Sequence, residues 1–248
     1  MEPQLKPVPI DSNQPTWRQP APPAQSGATI VTSDQQKNVL RNTYWLLALS
    51  MLPTIAGAWF GTSINFGSVF KTSPIMAPLL MFGAMFGMLF VVSALRNSVW
   101  GVAAIFGFTF VSGVMLAPML QHAAGFRNGG QLVALAGGMT AAVFFVMATI
   151  ATVSKRDFSF LGKFLFVGLI LLIIASLANL FFAVPAAALA ISAIAVLIFS
   201  MYLLYDVSQI VRGGQTNYIM ATLGLFLDLF NIFVNLLNLL LAFSGQRD

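Results

Sequence analysis

The sequence predicts an all-α integral membrane protein with seven transmembrane helices and a disordered N-terminal tail. Hydrophobic residues make up 58% of the 248 residues and charged residues only 8%, whereas about a quarter of a soluble domain is charged. Apolar segments of about 20 residues, the length that crosses a bilayer as a helix, recur along the chain with short connections between them. The lipid bilayer is therefore the first partner that the sequence predicts.

Residues 1–42 differ in composition from the rest of the chain. Seven of the twelve prolines lie between Pro3 and Pro23, among Gln, Ser and Asn. Proline removes backbone donors, and few apolar groups are present to offset the entropy of ordering. We therefore expect a disordered cytoplasmic tail, helical only near its end, where Ser33 and Asp34 resemble a helix start. The pattern of a secretory signal peptide is absent from it.

Seven apolar spans follow this tail. They lie near 43–61, 75–95, 99–120, 130–153, 162–182, 185–210 and 218–243, and 244–248 form a short C-terminal end. Pro185 suits the first turn of a helix, where its missing N–H is harmless, and Pro53 is expected to kink the first span. Two pairs of glycines have the spacing that lets membrane helices approach closely, and they are Gly57 with Gly61 and Gly83 with Gly87.

The positions of Lys and Arg predict the orientation in the membrane. With the N-terminus in the cytoplasm, nine of the twelve basic residues belong to the inner segments, as the positive-inside rule requires. An odd number of spans then puts the C-terminus outside. The basic residues are scattered beside the spans and form no patch, so the net charge of +5 predicts no nucleic-acid partner.

Two carboxylates lie within the apolar spans, Asp206 in the sixth and Asp228 in the seventh. A carboxylate at the centre of a membrane helix costs about 2.5–3.5 kcal/mol on insertion scales, so Asp228 is expected to serve function or packing specificity. Both residues approach from the inner side on neighbouring antiparallel helices, where close carboxylates share one proton. The pair is a candidate proton-sensitive latch, and Arg96 at the inner end of the second span is a candidate countercharge.

Polar side chains continue from this pair along both helices. Tyr202 and Gln209 share a face of the sixth span with Asp206, and the seventh span carries Asn231, Asn235 and Asn238 on the face of Asp228. This asparagine stripe has the form of an ion pathway, but asparagines also join membrane helices by hydrogen bonds. Two simpler interpretations also stay open, a water-exposed helix end for Asp206 and a membrane-surface anchor for Arg96.

The residues that common catalytic sites require are missing. His122 is the only histidine, Glu2 the only glutamate, and cysteine is absent, so metalloprotease ligand clusters and Ser–His or Cys–His nucleophiles cannot be assembled. The sequence also has no Gly-rich phosphate loop followed by Lys and Ser or Thr. We therefore predict that the protein is not an enzyme and has no cofactor.

The last two spans resemble the signature of the Bax-inhibitor family, and most closely its bacterial YccA-like branch. The similarity lies in YDVSQIV at 205–211, GGQTNYI at 213–219 and ATLGLFLDLFNIF at 221–233. The resemblance implies a bundle in which six helices surround a central last helix. It also implies a paired-aspartate pH sensor at Asp206 and Asp228, associated with calcium leak, in which Ca²⁺ is a permeant ion bound transiently and not a firm metal site. Arg96 is the best counterpart of the family's latch arginine.

The same resemblance implies a second role and a location. YccA-like proteins of the bacterial inner membrane are implied to bind the membrane protease FtsH and to restrain its attack on membrane proteins. A mobile cytoplasmic tail such as 1–42 is the kind of handle that such a protease needs. A pH-gated calcium leak and a protease modulator are therefore both expected functions, and the sequence leaves the ion, the partner and the oligomeric state open.

Overall fold

The computed structural model describes residues 33–73, 76–154 and 156–245, and over these residues it contains α-helices and no β-strand. The helices of this described part are α1 Ser33–Thr62, α2 Phe66–Thr72, α3 Met76–Leu95, α4 Trp100–Ala124, α5 Gly129–Val153, α6 Leu161–Phe182, α7 Pro185–Arg212 and α8 Tyr218–Gly245. The predicted all-α fold class is confirmed.

The end of the predicted tail, residues 1–42, overlaps the beginning of α1. Helix α1 begins at Ser33, where the helix-start pattern lies, so residues 33–42 continue the first span as helix. Residues 1–32 lie outside the described residues, and the expectation of disorder there stays a prediction.

Six of the described helices are long and apolar enough to cross a membrane, namely α1 and α4 to α8. The predicted second span corresponds to α3, whose apolar stretch Leu79–Leu95 is shorter than these six. The structure therefore supports a multi-pass membrane protein, and a seventh crossing by α3 stays a prediction.

The connection between α1 and α3 contains a helix that the sequence analysis missed. Helix α2 is only 7 residues long, and the side chain of Asn65 caps it by accepting a hydrogen bond from the Ser68 backbone N–H at 3.1 Å. Gln121 of α4 holds the same connection, because its Nε2 donates to the carbonyl oxygens of Thr62 (3.2 Å) and Ile64 (2.7 Å). A span-length hydropathy pattern does not reveal so short a helix.

One of the two predicted glycine contacts is confirmed. A Cβ atom at Gly57 would overlap the backbone of Phe110, and one at Gly61 would lie 2.6 Å from the Cβ of Ala117, so α1 and α4 approach closely along this face. For Gly83 and Gly87 the prediction is wrong within the described residues, since no atom lies within 4 Å of a Cβ placed at either position. Glycine spacing therefore predicted the close approach of α1 correctly, but the same spacing in α3 has no close neighbour within the described residues.

Helix α8 lies at the centre of the described helices. It packs against α1, α3, α4, α5 and α7, whereas α6 packs mainly on α7. Large side chains of α8 are fully buried, including Leu225, Ile232 and Leu237 at 0% exposure. This is the position that the resemblance implies for the last helix, and it puts the polar face of α8 inside the bundle.

Candidate functional site

The turn between α7 and α8 brings the two aspartate-bearing helices side by side. Gly213 ends α7 in the left-handed conformation with φ of 79°, which glycine adopts without strain. The N–H of Gly214 then donates to the Gln209 carbonyl at 2.8 Å. Asn217 starts α8, because its Oδ1 accepts from the backbone N–H groups of Ile219 (3.0 Å) and Met220 (3.1 Å). Helices α7 and α8 are consequently adjacent and antiparallel, with both carboxylates in the halves nearest this turn.

Asp228 is buried in the middle of the bundle. Asp228 is 5% exposed, and Oδ2 of its carboxylate has no hydrogen-bond partner within the described part of the chain. An ionised carboxylate in such a setting loses hydration without a compensating bond. The position of this atom therefore makes the protonation state of Asp228 important for the packing around it.

Asp206 reaches α8 through a gap that a glycine provides. A Cβ atom at Gly224 would lie 2.5 Å from Oδ2 of Asp206, so the glycine leaves room for the carboxylate in this position. Gly224 precedes Asp228 by one turn of α8, about 6 Å along the helix axis. The two carboxylates are close enough for Asp206 to act electrostatically on Asp228. The structure thus brings together the predicted aspartate pair.

Tyr202 and Gln209 lie on opposite sides of Asp206 along α7. Tyr202 is half-buried and lies within electrostatic reach of both carboxylates. Gln209 instead turns toward the connection between α5 and α6, where its Nε2 donates to Ser159 Oγ at 3.1 Å. In the same connection the Ser159 N–H donates to Asp157 and lowers the pKa of that exposed carboxyl.

Arg96 is not brought to the aspartate pair in the structure. It is exposed just beyond the end of α3, and its carbonyl oxygen accepts a hydrogen bond from Asn217 Nδ2 at 2.9 Å. The same nitrogen donates to Asn97 Oδ1 at 2.9 Å. These bonds tie the start of α8 to the end of α3 through backbone and amide groups, without the guanidinium.

A small crevice leads from the α7–α8 turn to Asp206. Its volume is about 180 Å³, and its lining comprises Tyr205, Asp206, Gln209, Ile210, Gly214, Gln215, Met220 and Ala221. Asp228 is not part of this lining. A solute entering the crevice therefore meets Asp206 first, and Asp228 lies behind it.

The asparagine stripe divides into two kinds of contact. Asn231 and Asn235 donate to carbonyl oxygens one turn back on their own helix, those of Leu227 and Asn231, each at 2.8 Å. Asn238 instead donates to Ser192 Oγ on α7 at 2.9 Å. Asn238 is therefore an interhelical contact, whereas the amide nitrogens of Asn231 and Asn235 join no neighbouring helix within the described residues.

Several contributors to the site were not assigned to it from the sequence. Gly224 makes room for Asp206, Asn217 caps α8 and holds α3, and Tyr205 and Gln215 line the crevice. The position of Gly224, one turn before Asp228, is the signal that was available. No three His, Cys, Asp or Glu side chains lie close enough to hold a metal ion in the described ranges.

Comparison with known proteins decides the family. The family model described as "Inhibitor of apoptosis-promoting Bax1" matches residues 36–245, which include both aspartates, the crevice and all of the described membrane helices except the first three residues of α1. The chain belongs to this Bax-inhibitor family. The match begins at residue 36, so most of the proline-rich tail lies outside it.

Relatives from several bacteria are similar over nearly the same region. An uncharacterized protein of Neisseria meningitidis is 40% identical over 214 residues, which cover 85% of this chain and 93% of the relative. An uncharacterized membrane protein of Vibrio cholerae is 39% identical over 206 residues (83% and 90%). The Escherichia coli protein named "Modulator of FtsH protease YccA" is 38% identical over 204 residues (82% and 89%). The predicted resemblance is thereby confirmed, and relatives named as membrane or inner membrane proteins agree with the helices described above.

Proposed function

We propose that this protein is a pH-sensitive cation leak of the bacterial inner membrane, with Ca²⁺ as a permeant ion and Asp206 and Asp228 as the gate. The observation that carries the proposal is the buried Asp228 on the central helix, with Asp206 packed against Gly224 one turn away. A carboxylate so deep in a membrane bundle is expensive, and such residues usually mark ion or proton pathways.

The chemistry of the gate follows from the closeness of two like charges. Two carboxylates in a low-dielectric interior interact strongly, and they titrate as a pair that holds one proton in common. While the proton is shared, α7 and α8 are held together at this level. A change in the protonation of the pair alters the force between the two helices, so the external variable that moves the gate is pH.

The route on either side of the gate is built from oxygen ligands. On the side of the α7–α8 turn, which the positive-inside rule assigns to the cytoplasm, the crevice opens onto Asp206. On the far side of Asp228, the side-chain nitrogens of Asn231 and Asn235 donate hydrogen bonds to carbonyl oxygens of their own helix. The side-chain oxygen of each asparagine is then directed away from that bond. Ca²⁺ is bound by carboxylate and carbonyl oxygens, so this series suits a dehydrating cation.

Arg96 has a simpler role in this proposal. It is exposed at the end of α3, where a cation anchors a helix at the membrane surface. The latch then consists of the two carboxylates alone, with Tyr202 as the polar side chain within reach of both.

The decisive experiment measures calcium flux into liposomes that contain the purified protein. Asparagine imitates a permanently protonated aspartate, so the Asp228→Asn variant should show a flux that is constant between about pH 6 and 8 and equal to the low-pH flux of the wild type. Asp34→Asn is the matched control, because Asp34 is an exposed carboxylate in the first turn of α1, away from both aspartates and the crevice. It should leave the pH profile unchanged. An Asp228→Asn profile that follows the wild type would contradict the proposed gate.

A second candidate function, modulation of the membrane protease FtsH, is favoured by the relative of Escherichia coli that carries this name at 38% identity. In that case the transmembrane helices would contact the protease and the proline-rich tail would serve as its handle. Co-purification with FtsH from membranes, and the turnover of FtsH substrates when the protein is overproduced, test this function. A modulator need not conduct, so Asp228→Asn should leave co-purification intact while it changes flux.

A further inference from the structure

A long apolar cleft opens between α1 and α5, away from the aspartate pair. Both helices pack on α8, and the cleft lies between them with α8 at its base. Its volume is about 1130 Å³, and its lining includes Ala48, Ile55, Gly137, Ala141 and Phe230. The chemistry of this lining suits a hydrocarbon occupant.

The length of the cleft matches the apolar part of a lipid bilayer. Along α1 the lining runs from Tyr44 to Thr62, a distance of about 27 Å at 1.5 Å per residue, which is close to the hydrocarbon thickness of a bilayer. A cleft of that length suits extended acyl chains.

Two cations continue the same face of α1 beyond the cleft. Lys37 and Arg41 precede Tyr44 and Ala48 at helical spacing, so the series 37, 41, 44, 48 forms one stripe. Tyr44 and Ala48 line the cleft, whereas Lys37 and Arg41 are exposed. The positive charges therefore stand at the end of the cleft where a lipid headgroup would lie.

We propose that this cleft is a binding site for an anionic phospholipid, with an acyl chain between α1 and α5 and the phosphate at Lys37 and Arg41. The apolar cleft takes the chain, and the cations select the headgroup. Each Lys or Arg at a membrane surface strengthens the binding of anionic lipid, and the affinity rises about fivefold per cation. A zwitterionic lipid gains less from the same cations, so the site should discriminate between headgroups.

The headgroup part of the proposal is tested by native mass spectrometry of the intact protein. Detergent-solubilised protein is titrated with dioleoyl phosphatidylglycerol and, separately, with dioleoyl phosphatidylcholine. The wild type should retain one phosphatidylglycerol in preference to phosphatidylcholine. The double variant Lys37→Gln, Arg41→Gln should lose about 25-fold in phosphatidylglycerol affinity. Lys71→Gln, at an exposed cation of α2, should retain it. Unchanged affinity in the double variant overturns the headgroup assignment.

The acyl-chain part is tested with two adjacent glycines of α5. A Cβ atom at Gly137 or Gly138 meets no described atom within 4 Å, so both positions have open space beside the backbone, but only Gly137 lines the cleft. Gly137→Leu should reduce the retention of both lipids, whereas Gly138→Leu should retain them as the wild type does. Equal behaviour of the two variants overturns the cleft as the site. A wild-type dimer that Gly137→Leu alone disperses would assign the cleft to a second copy of the chain and would also overturn the proposal.

Discussion

The asparagines of α8 allow a packing role and the proposed conduction role to be tested separately within one helix. Asn238 donates to Ser192 Oγ on α7 at 2.9 Å, and Ser192 is only 3% exposed. Asn235, less than one turn earlier, donates to a carbonyl of its own helix at 2.8 Å. Replacing each asparagine by leucine removes one hydrogen bond of similar length, but only Asn238→Leu removes a bond between helices.

The expected loss of stability differs between the two positions. Interhelical hydrogen bonds in membrane proteins contribute about 0.6 kcal/mol on average and up to about 1.7, and a buried hydroxyl left without its partner costs about 1–3 kcal/mol. We therefore expect Asn238→Leu to lower the free energy of unfolding by about 1–2 kcal/mol. The carbonyl that Asn235 contacts lies one turn back in the helix, where the backbone N–H of residue 235 also donates. Asn235→Leu should accordingly change the unfolding free energy by less than about 0.5 kcal/mol.

The conductance of the two variants should follow the opposite order. In the proposed pathway, the side-chain oxygen of Asn235 is a ligand for a dehydrated cation, and leucine removes it. Calcium flux through Asn235→Leu in liposomes should fall sharply, while Asn238→Leu should keep most of its flux once it is folded. Ser192→Ala combined with Asn238→Leu completes a double-mutant cycle, and a coupling energy near 0.6 kcal/mol is the expected result.

Two outcomes would refute this reasoning. If Asn235→Leu destabilises the protein as much as Asn238→Leu does, then Asn235 also joins helices and the stripe is packing throughout. If Asn235→Leu keeps its full stability and its full flux, then the ion does not pass this face of α8. Equilibrium unfolding in mixed detergent micelles and the flux measurement must be made on the same preparations.

Two further predictions concern the gate and the tail. Gly224→Ala introduces a Cβ atom 2.5 Å from Asp206 Oδ2. This carboxylate is the far end of a flexible side chain, so the substitution should displace it at a small cost in stability and move the pH midpoint of calcium flux. Gly138→Ala, with no described atom within 4 Å of its Cβ, should leave the midpoint in place, and an unmoved midpoint in Gly224→Ala would argue against the aspartate pair. Residues 1–32 precede α1. Their deletion should leave thermal stability in detergent unchanged and should weaken association with FtsH. A large fall in stability would mean that the tail packs on the helices.

Composition and hydropathy determined the class of this protein by themselves. A chain with 58% hydrophobic and 8% charged residues can satisfy its backbone in a bilayer only as helices or a closed barrel, and the span-length apolar runs favour helices. The start of α1 at Ser33 and of α7 at Pro185 also followed from local rules, because helix starts depend on the backbone groups of a single turn. The two aspartates stood out for the same reason, since their cost in an apolar segment is a local property.

Only the tertiary structure decided which of these features meet. Glycines with the same spacing bring α1 onto α4 at Gly57, but a Cβ atom placed at Gly83 meets no atom of the described residues within 4 Å, because close approach requires a partner helix as well as a small residue. Asn238 bonds to Ser192 while Asn235 bonds to its own helix, although both lie on one helical face. Periodicity specifies the face of a helix that a residue occupies, and the packing of the other helices then determines whether that face meets protein, lipid or an ion.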